Sequence, residues 1–120
     1  ALPISARVER VVDGDTIEVR AKIWLGQTLV VRVRIDGIDA PELEARCGEE
    51  RRMAEEARDY LARRLDSAEV RLSRVVYDKY GGRVRADVTD AKGDVAQGLL
   101  AAGLVRPYRG ERRQPWCMQS

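Results

Sequence analysis

The chain has 120 residues, 44% hydrophobic and 35% charged, with 22 Lys and Arg against 20 acids and a net charge of +2. That suits one domain spanning 1–120 with a single core, and any basic patch must come from placement rather than surplus. The absence of histidine excludes Ser-His-Asp chemistry and His-ligated zinc; two cysteines cannot make a four-ligand zinc site, and no apolar run approaches the roughly 20 residues of a membrane helix.

Residues 6–12 read as a strand, and Asp13-Gly14 is a hairpin signal, since glycine tolerates positive φ. A second strand starts at Thr16, with Ile17 and Val19 on one face and Thr16, Glu18 and Arg20 on the other. Gly26-Gln27 turns the chain again into a third strand over 28–36, where Val31, Val33 and Ile35 alternate with Arg32, Arg34 and Asp36. From 49 to 65 the period changes: Met53, Ala57, Tyr60, Leu61 and Leu65 recur at helical spacing among charged neighbours. Residues 70–77 return to strand character, with a slip of alternation between Arg74 and Val75 that predicts a bulge. Tyr80-Gly81-Gly82 reads as a turn, 84–88 as a fifth strand, and 94–102 as a short helix capped by Asp94 and ended by Gly103. In the basic tail, Trp116 is the expected anchor. Three strands, a helix, two strands and a further helix predict a mainly β, α+β architecture: a five-stranded barrel of the oligonucleotide-binding (OB) type, with two or three packed helices.

The chemistry-bearing residues gather around the third strand and the loop after it. Asp15 follows the first hairpin, and the second strand returns towards the third, so Asp15 is expected near Asp39; with Glu42 they would crowd three negative charges that ask for a cation. Oxygen-only ligands select Ca²⁺ or Mg²⁺. Arg34, five residues before Asp39, and Arg83, after the glycine turn, are suited to gripping a phosphodiester and its transition state. Cys47 and Cys117 either close a long disulfide loop, worth roughly 4 kcal/mol, or remain two free thiols.

Four segments, VVDGDTI at 11–17, VRIDGIDAPE at 33–42, YDKYGGRVRA at 77–86 and GLLAAGLVRPY at 98–108, together resemble the thermonuclease family, the staphylococcal-nuclease-like domains. The resemblance implies Ca²⁺-dependent hydrolysis of DNA and RNA, single-stranded or frayed, to 3′-phosphate ends. Asp15 and Asp39 resemble carboxylate ligands of the ion, and Ala40, at a position where the staphylococcal enzyme has Thr, would contribute a backbone carbonyl. Glu42 resembles the residue that activates the attacking water, and Arg34 and Arg83 the phosphate-gripping pair. Lys79 and Tyr80 match the family's nucleotide-contacting pair, and Tyr108 falls close to where the family places further stacking tyrosines. Gly81-Gly82 makes the turn one residue longer than in the staphylococcal enzyme, and no counterpart of that enzyme's final helix is expected after Trp116. The implied protein is a monomer, away from membranes. Its implied compartment is secreted or periplasmic, which fits a leader removed before Ala1 and a Cys47–Cys117 disulfide fixing the tail. The alternative from another class is a non-catalytic OB module that grips single strands without cutting them.

Overall fold

The computed structural model describes residues 3–43, 47–77, 83–108 and 116, with backbone only at 23 and 24. It is mainly β. Strands β1 (Ile4–Asp13), β2 (Thr16–Trp24) and β3 (Gln27–Ile35) form an antiparallel meander. After β4 (Ile38–Asp39) comes helix α1 (Gly48–Leu65), then β5 (Glu69–Tyr77), β6 (Arg83–Asp90), β7 (Gly93–Asp94), helix α2 (Val95–Ala101) and β8 (Arg106–Pro107). The sheet runs β3-β2-β1-β5-β6, and a parallel pairing of β6 with β3 closes it. The five-strand barrel with its two described helices is therefore of the OB type. Among the described residues no helix is long and apolar enough to cross a membrane.

Period-two alternation turns one face of each strand inward. Ile17, Val19, Val33, Val70 and Val88 are buried, and Leu61, Leu65 and Leu99 pack on them from the helices. The inward row of α1 is Ala54, Ala57, Leu61 and Leu65; Met53 and Tyr60 stand at its half-buried margin. Small alanines let the helix lie close to the barrel, which a methionine at the contact would prevent. Acidic Glu49 and Glu50 in the first turn and basic Arg63 and Arg64 in the last complement the helix dipole. The Cys47 disulfide sulfur caps the N-terminus by accepting from the Glu50 N–H at 3.4 Å. Cys47 is disulfide-bonded; Cys117 lies outside the described residues.

The bulge in β5 is present: the register with β6 shifts between Ser73 and Val76, and Arg74 takes φ +50°. Asp94 caps α2 by accepting from the Ala96 N–H, and Gly103, at φ +73°, ends it. There Leu104 N–H donates to the Leu99 carbonyl and Gly103 N–H to that of Leu100, a Schellman ending.

The first two turns fall one residue away from the expected positions. Asp13 pairs with Thr16, so Gly14 and Asp15 form the first turn; Trp24 pairs with Gln27, so Leu25 and Gly26 form the second. Gly14 is also there for a different reason from the one expected. It does not take positive φ; a Cβ on it would lie 2.6 Å from Ala57 Cβ and 3.1 Å from Ala40 Cβ. The turn is a contact point with α1 and with the loop after β4.

Behind α1, Arg64 makes a two-point ion pair with Asp90, at 2.7 and 2.8 Å, and also donates to the Gly93 carbonyl. It ties the helix to the β6–β7 turn. The guanidinium beside it holds the Asp90 carboxyl below the ordinary carboxylate range, and the carboxylate raises Arg64 in turn.

Candidate active site

The site begins where β3 ends. Val33 and Ile35 are buried in the barrel, so Arg32 and Arg34 project from its outer face. Thr16 pairs with Arg34, which sets the first turn beside it, and Ile35 N–H donates to the Asp15 carbonyl at 2.8 Å. Gly37, at φ +86°, reverses the chain, and Ile38, Asp39, Ala40 and Pro41 are then buried in succession. Such an anchored loop holds its polar groups in fixed positions.

Two carboxylates meet at one guanidinium. Arg34 Nη2 lies 3.9 Å from Asp15 Oδ2 and 3.9 Å from Asp39 Oδ1. The Asp15 and Asp39 side chains are only 12% and 3% exposed, against 41% for Arg34, so buried anions face a cation open to solvent on its other side. Asp15 Oδ2 accepts from the Ala40 N–H at 3.2 Å and Oδ1 from the Thr16 hydroxyl at 2.9 Å. These bonds tie the first turn to the loop after β4. The distance to Arg34 is an ion-pair separation, longer than a hydrogen bond.

An ionised carboxylate offers about four lone-pair sites. The two hydrogen bonds to Asp15 therefore leave oxygen lone pairs for a further cation beside Arg34. Two buried carboxylates from adjoining turns, with oxygen donors only, fit a hard ion whose remaining ligands are carbonyls and waters. Glu42 does not complete a trio of acids: among the described residues no three His, Cys, Asp or Glu converge to hold a metal. Glu42 is exposed, one residue past buried Pro41, and its N–H donates to Glu50 Oε2 at 2.9 Å. The start of α1 thus fixes the backbone that carries it.

Arg83 reaches the site from β6. The parallel pairing sets Arg83 opposite Arg32 and Arg85 opposite Arg34, while Val84 and Ala86 point inward. Arg34 and Arg83 line one open cleft of about 400 Å³. Tyr108 arrives through a pairing too short to leave a periodic signal: β4 pairs with β8, and Tyr108 N–H donates to the Gly37 carbonyl at 2.8 Å. Its ring centroid lies 5.4 Å from the Arg34 guanidinium carbon, a cation–π distance. Arg106, opposite Asp39, stacks on Trp116 at 3.8 Å, so Trp116 packs against the body.

Asp15, Arg34, Asp39, Ala40 and Tyr108 are therefore brought together, Arg83 lines a cleft with Arg34, and Glu42 is exposed two residues past Ala40. Lys79 and Tyr80 lie outside the described residues. No motif singles out Arg85 in the sequence; the signal for it is its alternation with Arg83, which mirrors that of Arg32 with Arg34. It stands across from Arg34 and pairs with Asp36 at 3.2 Å.

A family model described as staphylococcal nuclease homologue matches residues 32–117. No curated protein matches the chain.

Proposed function

The chain belongs to the staphylococcal nuclease homologue family, and on that premise we propose that it is a Ca²⁺-dependent nuclease that hydrolyses single-stranded or frayed DNA and RNA to 3′-phosphate ends. The observation that carries this reading is Arg34, shared between buried Asp15 and Asp39 on the rim of a cleft that Arg83 also lines. A site built only to grip phosphates gains nothing from two buried carboxylates beside its arginine.

In the proposed reaction Arg34 and Arg83 hold the non-bridging oxygens of the scissile phosphate and stabilise the negative charge that grows on them. Glu42, exposed on the loop that carries Asp39, takes a proton from a water aligned with the phosphorus. The water oxygen bonds to phosphorus and the bond to the 5′ oxygen breaks, leaving a 3′-phosphate and a 5′-hydroxyl. Both arginines keep their protons, so the leaving oxygen is protonated from solvent. Asp15, Asp39 and the Ala40 carbonyl would hold Ca²⁺, which when bound supplies polarisation of a phosphate oxygen. Tyr108, fixed beside Arg34, offers a stacking face to a base.

The disulfide at Cys47 favours an oxidising compartment, so the proposal places the protein in a secreted or periplasmic setting, as a monomer. A binding-only barrel is the second reading, favoured by the position of Glu42 outside the aspartate pair. Cleavage of heat-denatured DNA by Glu42→Gln separates the two. Hydrolysis predicts a fall in kcat of about 100-fold or more, the usual contribution of a positioned base, with oligonucleotide affinity retained. Wild-type rates in Glu42→Gln would remove Glu42 from the mechanism.

A further inference from the structure

The closure of the barrel makes an arginine array that the proposed reaction does not use in full. On the outer face of β3 and β6, Arg32 stands opposite Arg83 and Arg34 opposite Arg85. The two levels are two residues apart along the strands, about 6.6 Å, a step comparable to that between successive phosphates of an extended strand. All four arginines line the cleft of about 400 Å³, and Tyr77, 78% exposed at the end of β5, lines it with them. Arg34 and Arg85 also line a second open cavity of about 580 Å³, which Tyr108 borders. The level nearest the aspartates thus has open space on both sides, with a tyrosine bordering each.

We propose that Arg32 and Tyr77 form a second nucleotide subsite, in which Arg32 grips the phosphate next to the scissile one and Tyr77 stacks on the adjoining base. The chain then selects polynucleotides, engaged on both sides of the cut, over dinucleotides and chain ends. Arg32 can exchange partners at little cost: its contact with Glu18 is a single 3.8 Å approach between partly exposed side chains, while Arg85 pairs more closely with Asp36, at 3.2 Å and also in contact with solvent. The cleavage part of this inference rests on the nuclease reading, while the binding part stands by itself.

The test compares a single-stranded decanucleotide with a dinucleotide, using wild type, Arg32→Ala, Arg32→Lys and Tyr77→Ala. Decanucleotide binding is followed by fluorescence anisotropy over a range of salt, and cleavage by kcat/KM. Loss of one phosphate contact predicts that Arg32→Ala lowers the salt slope of binding by about 0.7, whereas Arg32→Lys keeps it. Tyr77→Ala is expected to weaken decanucleotide binding about tenfold without changing that slope. In cleavage, both alanine variants are expected to lower the preference for decanucleotide over dinucleotide. Equal losses on the two substrates, or an unchanged slope in Arg32→Ala, would overturn the subsite. If wild type cuts neither substrate the nuclease reading fails, and the anisotropy series still decides the subsite.

Discussion

Replacing Gly14 by alanine isolates one contact on which the site depends. Gly14 does not adopt positive φ, so alanine meets no backbone penalty, and the cost comes from what its Cβ touches. That atom would lie 2.6 Å from Ala57 Cβ, inside any real carbon–carbon contact, and 3.1 Å from Ala40 Cβ. Ala57 is fully buried in the middle of α1, so neither partner is a side chain that can swing aside. Overpacking of this kind costs about 1–3 kcal/mol. For a domain of this size, that lowers Tm by about 3–6 °C per kcal/mol. A double-mutant cycle identifies the cause. Ala57→Gly alone should cost about 1 kcal/mol in helix propensity and about 0.8 kcal/mol for a lost buried methyl. In the double variant the closest clash is gone, so its destabilisation should fall short of the sum of the single variants by about 1 kcal/mol or more. Urea denaturation followed by circular dichroism measures all four proteins. Additive effects, or a Gly14→Ala protein as stable as wild type, would refute the close approach of the first turn to α1.

The Arg64–Asp90 pair, with side chains 11% and 7% exposed, gives a second set of outcomes. Asp90→Asn leaves a largely buried guanidinium without its charge partner and should cost about 3 kcal/mol at neutral pH, read from the same urea curves. Because the Asp90 carboxyl titrates lower in the folded chain than in the unfolded one, its contribution is complete above the ordinary carboxylate range and is lost as pH falls through the folded value. Stability below about pH 4 should therefore fall less steeply in Asp90→Asn than in wild type. Gly98→Ala would put a Cβ 2.2 Å from Arg64 Nη1 and 2.8 Å from the Tyr60 hydroxyl. It should lower stability by about 1–3 kcal/mol, and by much less in an Asp90→Asn background, where Arg64 can move.

The long elements were legible because their periods are local. The alternation in β2 and β3, the helical spacing of α1 and the slip at Arg74 each repeat within a few residues of sequence, and each corresponds to a described element. What stayed hidden depends on residues far apart in the chain. The two-residue strands β4 and β8 have no period to read, yet their pairing sets Tyr108 beside Arg34. The need for glycine at 14 is fixed by an alanine more than forty positions later. The same is true within the site. The motifs around Asp15 and Asp39 pointed to a shared location, whereas the matching of Arg32 with Arg83 and Arg34 with Arg85 exists only once β3 and β6 pair in parallel. On α1 the inward row starts at Ala54 rather than Met53 because close packing favours the smaller side chain over the more hydrophobic one.

The central claim, that buried Asp15 and Asp39 beside Arg34 serve phosphodiester hydrolysis with Ca²⁺, meets its most direct test in one assay. Purified protein is incubated with heat-denatured DNA in millimolar Ca²⁺, in excess EGTA, and in EGTA followed by restored Ca²⁺, and the product ends are identified. The account predicts fragments with 3′-phosphate ends in the first and third conditions and intact DNA in the second. Cutting that continues in EGTA, or intact DNA in all three, would contradict it.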